Sequence, residues 1–173
     1  MPSRVIFVGQ APGRSAWLRG LELSRRVGKR PKNGPTSFAE RYCARIALTG
    51  SVGNRLASML GIGCREFARK HPRINLNARW TGKQGKGDRF CGKEAAVMAA
   101  WLLARKARPG DKIVLLGQNV AKAFGAKWSP LAERNVAGHR CLLFPHPSGI
   151  SHWWNEPENR RAAARKLKQF VSG

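Results

Sequence analysis

The chain has no run of about eighteen apolar residues, which excludes a transmembrane helix. It opens Met-Pro-Ser-Arg and enters a strand-like run directly, without the apolar stretch of a secretory signal, so a soluble, cytoplasmic protein is expected. Cysteines 43, 64, 91 and 141 form no C-x-x-C pair, which argues against a zinc site or a local redox motif. They read as reduced, mostly buried thiols, and no metal or cofactor is expected. The phosphate-cradling pattern G-x-x-x-x-G-K-[ST] is missing too, and an NTPase is disfavoured. Repeats and linkers are absent, so residues 1–173 read as a single domain. Acid is the scarcest class of all: nine Asp and Glu stand against thirty-three Lys and Arg, a net charge of +24.

That imbalance needs a partner or a reason. Neutralising phosphates drives both affinity and association rate, so a polyanion, and DNA in particular, is the simplest partner. The plainer alternative is a solvated basic surface of the kind packaging or ribosome-associated proteins carry. An apolar content of 42% and a length of 173 residues suffice for a real core. Neither fits wholesale disorder.

Apolar periodicity gives four strands and the helices between them. Val5 to Val8 reads as a central strand closed by Gly9. Arg73 to Ala78, Lys112 to Leu116 and Arg140 to Phe144 read as the other three. Helices are expected over Phe38 to Ile46, Gly53 to Leu60, Lys93 to Arg108, a short stretch through Phe124, and a final one after Asn155. In that last helix Asn155 is placed to cap, Pro157 suits an early position, and Ala163, Leu167, Phe170 and Val171 share one face. Arg14 to Pro35, with Arg25, Arg26, Lys29, Arg30 and Lys32, reads as a partly irregular basic excursion. Trp80 to Gly92 reads as a loop. Strands alternating with helices imply an α/β fold: a three-layer sandwich around a four-stranded parallel sheet.

Two loops at strand ends carry the chemistry. Gly9-Gln10-Ala11-Pro12-Gly13 follows the first strand and offers backbone amides at close approach. His146-Pro147-Ser148-Gly149-Ile150-Ser151 follows the last and offers a histidine, two hydroxyls and an apolar tip. In a parallel sheet such loops can meet at one crevice.

Taken in order, five segments resemble the uracil-DNA glycosylase superfamily. They are the first loop, Leu48-Thr49-Gly50-Ser51-Val52-Gly53-Asn54-Arg55-Leu56, Ile74-Asn75-Leu76-Asn77-Ala78-Arg79, Lys112-Ile113-Val114-Leu115-Leu116-Gly117 with Ala121, and the second loop. The resemblance implies a monomeric enzyme that flips a nucleotide from the stack and hydrolyses its N-glycosidic bond, at a flipping cost of a few kcal/mol. It makes His146 the residue that supports negative charge on the departing base, and Gln10 the one that positions water. Ala11, Pro12 and Gly13 would line the base pocket. Ile150 would wedge the vacated stack, with Ser148, Gly149 and Ser151 against the DNA backbone; helix capping is the competing role for the serines. Asn75 or Asn77 would read the base, since an amide supplies both a donor and an acceptor. Residues i and i+2 of a strand share a face, so both remain candidates. His139 and His152 lack motif support and read as surface residues.

The chain also departs from the family pattern. Gln10 and Ala11 stand where many relatives carry Asp, Asn or Glu, and a glutamine orients water without accepting its proton. Gly13 replaces a tyrosine that excludes 5-methyl groups in the most uracil-strict relatives, so 5-substituted uracils would fit. Leu48 replaces the usual stacking aromatic, worth about 1–3 kcal/mol, with Trp17 as a substitute from the other side. The missing acid leaves a rival: a nucleic-acid-binding protein that kept the fold and lost the chemistry.

Overall fold

The computed structural model describes residues 3–12, 14–26, 47–48, 50–84, 87–148 and 152–173. The expected helix at Phe38 to Ile46, and the basic excursion beyond residue 26, lie outside the described residues. The first strand, β1 (Val5–Gly9), is buried at every position. So is its neighbour near the middle of the chain, Lys112–Leu116. Continuously buried strands of this kind belong in a sheet covered on both faces, where no side of the strand meets water.

The other strands are β2 (Arg73–Asn75), a short antiparallel pair β3 (Lys83–Gln84) and β4 (Gly87–Asp88), β5 (Lys112–Leu116), β6 (Glu133–Val136) and β7 (His139–Phe144). The main sheet runs β2-β1-β5-β7-β6. Its first four strands are parallel, with Gly9 opposite Asn75, Val8 opposite Leu115 and Leu116 opposite Phe144. β6 closes the edge antiparallel to β7. The protein is therefore α/β with a mixed, mostly parallel five-stranded sheet, one strand more than the four-stranded parallel sheet expected from the sequence. The turn between β6 and β7 has Ala137 and Gly138 both at positive φ (49° and 83°), the requirement of a tight two-residue hairpin.

The helices are α1 (Arg14–Arg26), α2 (Gly50–Leu60), α3 (Cys64–Lys70), α4 (Gly92–Arg105), α5 (Gln118–Ala123) and α6 (Pro157–Ser172), with a 3-10 turn at His152–Asn155. Alternation along the strands divides the core. Phe7, Val114, Leu142 and Phe144 face Leu56 and Ala57 of α2, Phe67 of α3, and Ala163, Leu167 and Phe170 of α6. Ile6, Val8, Ile113, Leu115 and Leu143 face Ala95, Ala99 and Leu102 of α4 and Val120 of α5. Helices thus cover both faces, as the strand pattern requires.

Several local expectations are corrected. Residues 14–26 form a regular helix where an irregular excursion was expected, because charge clustering does not prevent helix formation on a solvated face. α3 was missed: it is only seven residues long and buries a single side chain, Phe67. β2 stops at Asn75, three residues short of the expected Ala78. Asn155 does not cap α6; it belongs to the 3-10 turn, and Glu156 occupies the N-cap without a side-chain bond, with Pro157 first in the helix. His139 is buried, 8% exposed, with Nδ1 3.3 Å from the Asp111 carbonyl, so it is no surface residue.

The amino end of the sheet is pinned by charge. Arg4 Nη2 meets Asp111 Oδ2 at 2.5 Å, and the Arg4 and Arg108 backbone N–H groups donate to the same carboxylate. Burial alone would raise the Asp111 carboxyl; Arg4 and the backbone donors outweigh it and hold the group below its usual range. Lys112 Nζ donates to the Phe170 and Val171 carbonyls and caps the end of α6, while its burial pulls the ammonium below the ordinary lysine range. Among the described residues no helix is long and apolar enough to cross a membrane.

Candidate active site at the carboxyl edge of the sheet

The chain runs from β1 to β2 on one side of the sheet, then crosses through α4 to β5 on the other side of β1. The reversal puts the topological switch point beyond the carboxyl ends of β1 and β5, the place where open α/β sheets hold ligands. The first loop leaves β1 at this edge, and the second leaves β7, two strand spacings or ~10 Å away. Both loops therefore open on the same edge.

Gly9 shapes the β1 side. A Cβ there would stand 2.5 Å from Leu48 Cδ2 and 2.8 Å from Asn75 Oδ1, so only glycine lets both side chains close over the strand end. Leu48 is 9% exposed, sits at a φ of 52°, and joins the core beneath α2. Arg73 Nη1 fixes the preceding residue by donating to the Ala47 carbonyl at 3.0 Å. The Gly9 and Gln10 carbonyls accept from the Leu76 and Asn77 N–H groups at 3.0 and 2.9 Å, which staples the first loop to the segment after β2. Gln10 and Ala11 stay partly exposed and Pro12 is buried.

The two asparagines part company. β2 ends at Asn75 and the chain bends over the next four residues, so the expected shared strand face does not extend to Asn77. Asn77 is fully buried and its amide is spent on one backbone: Nδ2 donates to the Cys91 carbonyl at 3.1 Å, and Oδ1 accepts from the Cys91 N–H at 3.3 Å. It ties the edge of the sheet to the start of α4. Asn75 Oδ1, by contrast, is buried without a hydrogen-bond partner among the described residues. An orphaned acceptor costs about 1–3 kcal/mol and invites an explanation.

The contrast yields a prediction. Asn77→Ala should lower unfolding stability by about 2 kcal/mol, because the Cys91 groups lose both partners. Asn75→Ala should leave stability unchanged or raise it by up to about 1 kcal/mol, since it removes an acceptor that no described residue satisfies and the lost packing offsets part of the gain. Urea titration of both variants is the measurement, and equal losses would contradict the division of roles.

His146 lies on the β7 side, partly buried against Gly117. A Cβ on Gly117, at φ 97°, would stand 3.2 Å from His146 Cβ, so this strand end also needs glycine. The His146 carbonyl accepts from the Trp154 indole at 2.8 Å and from the Ser148 N–H at 2.8 Å. Arg55 Nη1 of α2 reaches the Pro147 carbonyl at 3.3 Å. The second loop is thus held by two side chains that its own sequence does not contain. Gly13, Gly149, Ile150 and Ser151 lie outside the described residues, as does the side chain of Trp17.

Electrostatically the edge favours anions. α1 starts after the first loop and α2 after Leu48, and neither has an acid in its first turn. The first-turn N–H groups of a helix carry partial positive charge, which here no acid of the same turn offsets. Of the thiols, Cys64 is exposed and Cys91 partly so, while burial pushes the Cys141 thiol up to about 12. Among the described residues no three His, Cys, Asp or Glu side chains gather as metal ligands.

No protein-family model matches the chain, no curated protein matches it, and no solved structure matches it.

Proposed function

We propose that the chain is a monofunctional DNA glycosylase of the uracil-DNA glycosylase type, acting as a monomer on uracil or a 5-substituted uracil in intracellular DNA. One observation carries the reading. The first loop, the Asn75 Oδ1 that has no partner among the described residues, and His146 all stand at one carboxyl edge, about the point where the strand order reverses.

Each residue has work to do there. The Asn75 amide reads the edge of a flipped pyrimidine, its oxygen taking the imide N–H. As the glycosidic bond breaks, its electron pair leaves with the base, and His146 stabilises the charge gathering on the carbonyl. Gln10 holds the water that adds to the sugar carbon, and that water's proton passes to solvent or to the departing base. Gln10 takes no proton itself, so turnover is expected to be slow. Leu48 is buried in the core beneath α2, so the base gains no aromatic stacking from that position. Helix amides and the surplus of basic side chains meet the phosphates.

The deciding experiment is an abasic-site assay with enzyme in excess over uracil, thymine and other 5-substituted-uracil oligonucleotides, single- and double-stranded. Alkali-labile product from at least one uracil substrate is expected. Binding without any product would overturn catalysis and favour the second reading, a nucleic-acid-binding protein, which the lack of a carboxylate at Gln10 and Ala11 supports.

A further inference from the structure

Behind the second loop, α2 and the start of α6 enclose an open groove of about 530 Å³. Arg55 and Arg160 stand on its walls with Asn54 and Ser58, and Met59 and Trp154 line its apolar part. No lining residue is acidic; Glu156, which caps α6, is adjacent but outside the lining. We propose that this groove holds the phosphodiester backbone of a DNA strand flanking the second loop. The inference rests on the nucleic-acid part of the reading above and adds a separate contact surface to it.

Three observations converge on a phosphate-bearing strand. First, the volume lies within the range of small-ligand sites while the groove stays open, as a continuous chain requires. Second, the donors are of the right kind. Two exposed guanidiniums offer forked N–H pairs that match phosphate oxygens, with a hydroxyl beside them. The Asn54 Oδ1 accepts from the Cys64 thiol at 2.6 Å, which leaves the Asn54 Nδ2 donor for a ligand oxygen. Third, the groove is joined to the candidate active site by hydrogen bonds. Arg55 reaches the Pro147 carbonyl, and the indole of Trp154 reaches the carbonyl of His146. A strand seated in the groove therefore lies against the residues that set the second loop, and both surfaces can hold one polymer.

Arg160 is the clean test, because it is exposed and its side chain makes no hydrogen bond or ion pair to the described residues of the loop or of the candidate active site. The probe is a fluorescein-labelled 12-mer containing no uracil, single-stranded and as a duplex, titrated by anisotropy from 50 to 200 mM salt. Arg160→Ala should weaken binding about 5–10-fold at the low-salt end and reduce the logarithmic salt slope by ~0.7 on the single strand. Arg160→Lys should restore the slope but not the full affinity. Arg105→Ala, on α4 across the sheet, serves as the control and should change the slope by less than half as much. Unchanged melting temperatures establish that each variant is folded.

A slope for Arg160→Ala no lower than that of Arg105→Ala would overturn the proposal. So would displacement of the oligonucleotide by millimolar inorganic phosphate beyond the effect of equal ionic strength, which would indicate an isolated anion site. The probe has no base to excise, so the result is independent of catalysis. A protein that binds through Arg160 but excises nothing leaves the groove standing and removes the glycosylase reading; excision with an indifferent Arg160 does the reverse.

Discussion

His146→Ala is expected to reduce single-turnover excision of uracil by about 10²–10³-fold, with oligonucleotide affinity changed by no more than about threefold. The size follows from what the side chain is asked to do. Charge appears on the base only as the bond breaks, so a donor aimed at the carbonyl acts on the transition state and little on the ground state. Part of the loop's support comes from the main chain of the same residue. The His146 main chain is held through its carbonyl by Trp154 and Ser148, while its side chain lies against Gly117. The two carbonyl contacts survive in alanine, and the melting temperature of the variant reads any packing lost with the ring. His146→Asn keeps a neutral donor and should recover part of the loss. A fall of less than about threefold, or a loss matched by a drop in melting temperature, would remove His146 from the chemistry.

What the sequence revealed followed burial. β1, and β5 and β7 after their basic first residues, are apolar runs at the centre of a covered sheet, where composition dictates the strand. The two glycine-bearing strand ends, Gly9 and Gly117, were legible for the same reason. β6 was not. Its Glu-Arg-Asn-Val pattern has no apolar alternation, because it is an edge strand held by backbone pairing to β7 and by the ion pairs of Glu133 with Arg140 and Lys166. Asn75 and Asn77 could not be told apart because their settings depend on where β2 ends, and strand ends are set by tertiary contacts rather than by periodicity. Arg55 and Trp154 escaped notice for a different reason. Arg55 meets Pro147 across 92 residues, and no spacing rule reaches that far. Such residues announce themselves only through the fold.

Gly9→Ala should damage both stability and chemistry, and the two losses should be separable. The new methyl would displace Leu48 Cδ2 and Asn75 Oδ1, the atoms nearest to it. Overpacking of this kind costs about 1–3 kcal/mol. In a chain of this length that corresponds to a melting-temperature drop of roughly 2–4 °C per kcal/mol. Shifting the Asn75 amide by even ~1 Å should cost excision about 10²-fold, because base reading and bond breaking share one geometry. Leu48→Ala alone opens a cavity in the core and should cost about 2–5 kcal/mol. Combined with Gly9→Ala, it removes the closer of the two collisions and lets the methyl occupy the space. The double variant should therefore be more stable than the sum of the single losses by about 0.5–3 kcal/mol. Its excision should recover only in part, because the contact with Asn75 persists. Additivity within about 0.5 kcal/mol in urea titrations would mean that Leu48 and Gly9 do not pack against each other, and the close-fitting wall of the crevice would have to be abandoned.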